Sequence, residues 1–164
     1  MQEIHLEKNT LITSKTNLKG EVVYANADFL KYAGYKMEEI LYKPHNRVRH
    51  EDMPKTVFKC LWDYVQSGKE IFAFVKNKAK NGNFYWVFAN ITPSFDENGN
   101  IISYYSVRRC PNQKAIPIVE NLYKTLLQKE KEGGIKLGVE TLMQVVSSHN
   151  VSYNEFVLNL QKNS

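Results

Sequence analysis

Residues 44–54 read Pro-His-Asn-Arg-Val-Arg-His-Glu-Asp-Met-Pro, a polar run with apolar, strand-rich sequence on both sides. Two arginines, two histidines and an aspartate stand together in this short segment, which we call the elbow. Ligand sites combine an apolar slot with a few well-placed polar groups. A polar elbow flanked by apolar sequence is therefore typical of a small domain that binds a ligand.

The segment after the elbow predicts an amphipathic helix. Asp52 is a candidate N-cap, Pro54 suits the first turn, and Gly68 suits the end of the helix. The apolar positions that share one stripe at helical spacing are Val57, Phe58, Leu61, Trp62 and Val65. We expect most of this stripe to cover a sheet.

Strand signals surround this helix. The dipeptides Asn81-Gly82 and Asn98-Gly99 are strong hairpin signals, and they separate three strand-like runs. The predicted strands are about 71–79, 84–94 and 101–109, after an earlier hairpin of 11–14 and 21–25. Short helices are predicted at 27–33 and about 37–41. Together they predict an α+β fold, a five-stranded antiparallel sheet with short helices on one face, in which the first hairpin pairs with the edge of the meander.

The sequence changes character after Pro111. Helical patterns cover 115–132, 135–146 and 153–161, and Gly133-Gly134 separates the first two. A capping box from Ser152 to Glu155 opens the third helix. We therefore divide the chain into a domain at 10–111 and a C-terminal helical tail at 112–164. The apolar faces of the tail require burial on the sheet or on another protein.

Composition narrows the class of protein. The net charge of +5 among 164 residues is mild and not concentrated on a helix, so nucleic-acid binding is not predicted. The N-terminus lacks a signal-peptide pattern, and no apolar run reaches the ~20 residues of a membrane span. Cys60 and Cys110 predict free thiols in a reducing compartment. We expect a cytoplasmic protein without direct membrane insertion, and no metal site or catalytic constellation is evident.

Several short sequence motifs resemble the flavin-binding PAS domain of bacterial aerotaxis receptors. They are the elbow, then Phe58…Leu61-Trp62, Val75-Lys-Asn77, Lys80-Asn-Gly-Asn-Phe-Tyr-Trp-Val87 and Ser106-Val-Arg108. The likeness covers about residues 10–111 and implies a PAS fold. A single PAS domain with a short tail is similar to the stand-alone sensor subunit of a bipartite energy-taxis system. The resemblance then implies a separate membrane-bound transducer of the methyl-accepting type as partner, peripheral membrane association only through it, and PAS homodimers or heterodimers.

The resemblance also implies non-covalently bound FAD whose redox state is the signal. The positions that match the family's flavin-linked residues are Asn26, Arg49, His50 and Asp52. Asn77 and Arg108 match positions of polar contacts to the flavin ring in related domains.

Physical reasoning from the residues points the same way. A flavin ring needs an apolar slot with a few donors for its carbonyl groups and nitrogens. Phe58 and Trp62 of the helix, with Tyr85, Val87 and Ala89 at alternate strand positions, can form that slot. Arg49 and His50 are candidates for the pyrophosphate.

Other interpretations stay open at these positions. Asp52 and Asn26 are also candidate helix caps, and His45 and Arg47 are candidate surface residues. Trp86 and Phe88 alternate onto the opposite sheet face, where we expect a tail helix or a second subunit to cover them.

Other functions stay open as well. Aerotaxis receptors carry tryptophan where this chain has Ile71. A cofactor-free PAS adaptor therefore stays open as an alternative function. A haem sensor would use His45 or His50 as axial ligand. A blue-light photoreceptor is disfavoured because the elbow has no cysteine and Cys60 lies later, on the helix.

Overall fold

The computed structural model describes residues 1–162. Its centre is one antiparallel sheet with the strand order β2-β1-β5-β4-β3. The strands are β1 Leu11–Thr16, β2 Val22–Ala25, β3 Ile71–Lys78, β4 Phe84–Phe95 and β5 Ile101–Arg109. The predicted five-stranded sheet is confirmed, and β1 pairs with β5, so the first hairpin joins the free edge of the meander as expected.

The helices also follow the predicted order. They are α1 Ala27–Ala33, α2 Met37–Ile40, a 3-10 turn at His45–Val48, α3 Lys55–Gln66, α4 Ile116–Ser147 and α5 Tyr153–Lys162. Asn26 caps α1, because its side chain accepts a hydrogen bond from the N–H of Phe29. The left-handed Gly34 ends that helix.

The predicted capping role of Asp52 is wrong. Pro54 occupies the N-cap of α3 and offers no side-chain hydrogen bond. The Asp52 carboxylate instead accepts a hydrogen bond from the Lys76 ammonium at 2.7 Å. The N–H of Thr56, in the first turn of α3, donates to the Glu130 carboxylate of the tail at 2.9 Å. A group distant in sequence therefore caps this helix.

The sheet buries both faces over β3 and β4. Val75 and Ala89 point towards α3, whereas Phe74, Trp86 and Phe88 lie on the opposite face and are buried. The Trp86 ring lies 6.0 Å from the ring of Tyr123, a residue of α4. Of the two covers that the sequence left open, a tail helix or a second subunit, the structure has the tail helix α4.

The helical tail folds back on the same chain. α4 bends at Gly133 and Gly134, the predicted break, and Gly134 adopts φ +75°, ψ −170°, a backbone conformation that suits glycine. Buried residues on both sides of the bend, among them Leu126 and Leu142, join the main core. None of the helices within residues 1–162 is both long enough and apolar enough to cross a membrane.

The N-terminal residues belong to the folded body as well. Glu3 forms a parallel bridge with Phe84, and Leu6 is buried in the core. The packing therefore extends beyond the predicted domain start at residue 10.

Candidate ligand-binding site

A cavity of about 320 Å³ lies between α3 and the inner face of the sheet. Phe58 and Trp62 of α3 form one wall, and Val75 and Ala89 of the sheet form the opposite wall. This volume is at the lower end of the roughly 300–1,000 Å³ typical of small-molecule pockets. The other lining residues are Ser14, Thr16, Lys19, Gly20, Pro44, His45, Asn46, Arg49, Leu61, Val65, Asn77, Ile91, Tyr104, Ser106 and Arg108.

Arg108 places a buried positive charge at the wall of the cavity. The residue is only 3% exposed, and its Nε–H donates to the Ser106 hydroxyl at 2.9 Å. The other side of the guanidinium contacts the Ser14 hydroxyl and lies 3.1 Å from Nε2 of His45. Burial lowers the pKa of Arg108 to about 10. Every hydrogen-bond partner of this cation in the described structure is a neutral group.

Asn77 adds an unsatisfied donor to the same wall. Its side-chain Nδ2 is buried and has no hydrogen-bond partner of good geometry within residues 1–162, although the Tyr85 hydroxyl lies near the amide. The position is set by β3, which brings Asn77 opposite Tyr85 of β4 and into a bridge with Arg49 of the elbow. A buried amide without a partner costs about 1–3 kcal/mol. The amide and the guanidinium of Arg108 are therefore both suited to a ligand rich in hydrogen-bond acceptors.

Arg49 forms part of the rim of the cavity. Its guanidinium lies 4.0 Å from the centre of the Phe58 ring, a cation–π contact that also orders the aromatic wall. Among the described residues that line the cavity, Arg49, Arg108 and Lys19 are basic and none is an aspartate or a glutamate. The site is therefore electropositive.

Gly20 allows the opposite wall to close. It adopts φ +83°, and a Cβ at this position would lie 3.2 Å from the Trp62 ring. The indole packs edge-on against Tyr104 at 5.4 Å between ring centres. The turn between β1 and β2 thus approaches α3 closely enough to hold Trp62 in place.

A profile described as the PAS fold matches residues 22–108, more than half of the chain. The chain belongs to the PAS family. Two curated relatives of this PAS protein match over part of their length. It is 40% identical to the aerotaxis receptor of Escherichia coli (strain K12) over 125 residues, which are 76% of this chain and 24% of that protein. It is 22% identical to the nitrogen fixation regulatory protein of Klebsiella pneumoniae over 104 residues, or 63% of this chain and 21% of that protein. The chain thus spans a quarter or less of the length of these relatives.

Solved structures confirm the PAS fold. The light-state structure of the blue-light photoreceptor Aureochrome1 LOV superimposes with a TM-score of 0.60 at 21% identity, covering 67% of this chain and 88% of that one. A LOV domain structure described as a study with a flavin analogue gives a TM-score of 0.58 at 18% identity, covering 75% of this chain and 88% of that one. At these identities the likeness concerns the fold alone.

The PAS fold brings half of the predicted site residues together at the cavity. These are Arg49, Phe58, Trp62, Asn77 and Arg108. Their predicted contacts with a flavin stay predictions.

The other predicted residues lie outside the cavity lining. Asn26 caps α1, and Asp52 pairs with Lys76 on the outside of the elbow. Val87 is buried in the core. Tyr85 is buried beside Asn77, and burial raises the pKa of its hydroxyl to about 12. His50 lines a separate, open groove with Arg49.

Sequence reasoning missed the polar cluster around Arg108. It did not select Ser14 or Ser106, and it favoured a surface position for His45, which is wrong. The Nε2 of His45 lies 3.0 Å from the Ser14 hydroxyl, and its ring packs edge-on against Phe29. Burial, followed by the neighbouring guanidinium, lowers the pKa of His45 to about 3, so this histidine is neutral near pH 7. Alternation along the strands was the available signal, because Ser106 and Arg108 share a face.

Within residues 1–162, no group of three or more His, Cys, Asp or Glu residues is placed to hold a metal ion. Both cysteines are free, and burial raises the pKa of the Cys60 thiol to about 11.

Proposed function

We propose that this PAS domain binds FAD and senses redox state in aerotaxis or energy taxis. We further propose that it passes this state to a separate membrane-bound transducer of the methyl-accepting type, which would also bring it to the membrane. The 40% identity with an aerotaxis receptor supports the first proposal. The partner and the cofactor rest on the resemblance to aerotaxis-receptor PAS domains, and the aromatic walls and basic residues of the cavity support the cofactor.

The observation that carries the flavin proposal is the buried guanidinium of Arg108. A cation held by neutral groups in an apolar cavity favours a ligand with acceptor atoms or negative charge. The unpartnered amide of Asn77 lines the same cavity and adds a second donor. A flavin ring is planar and apolar on its faces, with carbonyl oxygens and ring nitrogens along one edge. Arg108 and Asn77 would hold that edge, Phe58 and Trp62 the faces, and Arg49 at the rim the phosphates.

The residues of the chain supply orientation, exclusion of water and a response to charge. When bound, a flavin supplies electron transfer coupled to proton uptake. Negative charge gained by a ligand near Arg108 attracts the guanidinium strongly, because the site is buried. Arg108 would then shift from Ser14 on β1 and from His45 in the elbow towards the ligand. This rearrangement would couple the redox state to β1 and to the elbow.

The test of the flavin proposal is the absorption spectrum of the purified protein, before and after denaturation and with dithionite. We expect a two-band yellow spectrum that dithionite bleaches, and release of FAD on unfolding. A protein that stays colourless after reconstitution with FAD would contradict the proposal and leave a cofactor-free adaptor.

Arg49→Ala tests the phosphate contact, with Arg47→Ala as its matched control. Arg47 belongs to the same elbow but is exposed and lies outside the cavity lining. We expect lower FAD occupancy in the first variant only. Full occupancy in Arg49→Ala would rule out this binding role.

Haem is the second candidate, because His45 lines the cavity. Its Nε2 already contacts Ser14 and lies beside the cationic Arg108, which disfavours ligation of iron at that atom. His50, the other candidate axial ligand, lies outside the cavity lining. A Soret band in the same spectrum would favour haem over flavin.

A further inference from the structure

The helical tail is attached to the PAS core by specific polar contacts as well as by apolar packing. The Tyr123 hydroxyl of α4 donates to the carbonyl of Phe74 at 2.5 Å. The Asn154 side chain of α5 accepts from the N–H of Phe72 at 3.0 Å and donates to the carbonyl of Glu70 at 3.1 Å. These bonds cover the outer edge of β3. The tail thus lies on an edge and an aromatic face that would otherwise be exposed.

Glu130 of α4 makes the contact that joins the tail to α3. Its carboxylate accepts from the N–H of Thr56 at 2.9 Å and from the Thr56 hydroxyl at 2.7 Å. Pro54 leaves the first turn of α3 without a cap of its own, so the Glu130 carboxylate fills that role. Gly138, beyond the bend in α4, lies directly against the Thr56 hydroxyl and leaves no space for a side chain.

The helix that receives this contact is also a wall of the ligand cavity. Phe58, Leu61 and Trp62 of α3 line the cavity, and Thr56 lies in the first turn of the same helix, within about two turns of all three. A displacement of the α3 N-terminus would therefore change both the cavity wall and the position of the tail.

Arg49 stands between the cavity and the tail. It lines the cavity on one side and, on the other, an open groove of about 400 Å³ that Glu130 also lines. The Glu130 carboxylate interacts favourably with the Arg49 guanidinium across this groove and acts to raise the pKa of Arg49, although burial lowers it overall. Arg49 and Glu130 thus line the same groove with opposite charges. A second anion at Arg49 would compete with Glu130 for the same positive charge.

We propose that the helical tail, α4 and α5, reports on the cavity: a phosphate-bearing ligand at Arg49 weakens the contact between Glu130 and α3 and loosens the tail from the PAS core. The ligand in this inference is the flavin nucleotide of the proposed function, on which it rests. The tail would then be the moving part that a partner protein detects. A tail released from the PAS core would leave Phe74, Trp86 and the β3 edge accessible.

Hydrogen–deuterium exchange of the full chain, read by mass spectrometry, tests this proposal. The protein is compared alone, with FAD, and with riboflavin, which has the same ring and no phosphate. We expect FAD to raise amide exchange in 116–147 and 153–162 several-fold, and riboflavin to leave the tail unchanged. Exchange in β2 serves as an internal reference, because none of its residues lines the cavity and none of the tail contacts described above involves that strand.

Glu130→Gln separates the contact from the ligand. We expect this variant to raise exchange in the tail several-fold without any ligand and to abolish the further effect of FAD. Glu132→Gln is the matched control, because Glu132 belongs to the same turn region and its carboxylate pairs only with Lys129, at 3.3 Å, among the described residues. It should behave as the wild type does.

Three outcomes decide between the ideas. If the two glutamine variants exchange alike, Glu130 does not hold the tail and the inference is overturned. If the spectrum shows bound FAD but tail exchange matches that with riboflavin, the ligand response is overturned and the proposed function stands. If neither flavin binds, the proposed function and the ligand response fail together, whereas the ligand-free comparison of the variants still decides the role of Glu130.

Discussion

Replacing Arg108 with methionine would separate ligand binding from folding. In the ligand-free protein the guanidinium bonds only to neutral groups, Ser14, Ser106 and His45. Relief of the buried charge and loss of these hydrogen bonds oppose each other. We therefore expect the free energy of unfolding to change by no more than about 1 kcal/mol.

The affinity for FAD should respond far more strongly than stability. One hydrogen bond from a charged donor contributes about 1.5–3 kcal/mol, and about 1.4 kcal/mol is a factor of ten in Kd. Loss of a single bond between Arg108 and the ligand would therefore raise Kd about 10- to 150-fold. Titration of the apoprotein with FAD, followed by quenching of flavin fluorescence, measures Kd, and urea unfolding measures stability.

Arg109→Met is the control for this experiment. Arg109 is the next residue of β5, points to the other face of the sheet and is exposed. We expect it to bind FAD within about threefold of the wild type, since surface substitutions rarely exceed about 0.5 kcal/mol. A folded Arg108→Met protein that binds FAD as tightly as Arg109→Met does would refute the reasoning.

Two further predictions concern titration and a buried lysine. Burial, followed by the neighbouring guanidinium, lowers the pKa of His45 from 6.5 to about 3, so below pH 6.5 the unfolded chain binds a proton that the folded protein excludes. The free energy of unfolding should fall as the pH drops from 6.5 towards 3, and this residue contributes up to about 1.4 kcal/mol per pH unit. Urea unfolding of His45→Gln should show a flatter pH profile. Asp52→Asn should lower the free energy of unfolding by about 1 kcal/mol, because it leaves the mostly buried Lys76 ammonium without its carboxylate. Asp63→Asn removes one partner of an exposed pair and should cost under about 0.5 kcal/mol.

A specific result would contradict the prediction for His45 and another the prediction for Asp52. Parallel pH profiles for the wild type and His45→Gln would show that this histidine titrates in the folded protein as it does in the unfolded chain. Equal losses in the two asparagine variants would show that the Lys76 pair is no stronger than a surface pair.

The secondary structure was predictable because its signals are local. Asn81-Gly82 and Asn98-Gly99 mark both hairpin turns of the meander, and the bounds of β5 agree with the predicted strand. Gly133-Gly134 marks the bend of α4 for a similar reason, since few residues other than glycine adopt that backbone conformation. These features depend on the residues at the turns and not on distant partners.

The site was predictable only where periodicity or family likeness selected a residue. Helical spacing selected Phe58 and Trp62, and the resemblance selected Asn77 and Arg108. Asp52 shows the limit of local reasoning. Its position before α3 is suited to a cap, but Lys76, 24 positions away, holds the carboxylate.

The sequence by itself determined the order of the elements, the α+β class and the faces of each strand, because turn chemistry and side-chain periodicity act over a few residues. Only the tertiary structure decided which polar groups meet. Ser14 and Arg108 are 94 positions apart, and Thr56 and Glu130 are 74 apart. Such pairs form because the sheet order places β1 beside β5 and because α4 folds back over α3. Sheet order and helix packing decide these pairs. The spacing of residues within either segment does not predict them.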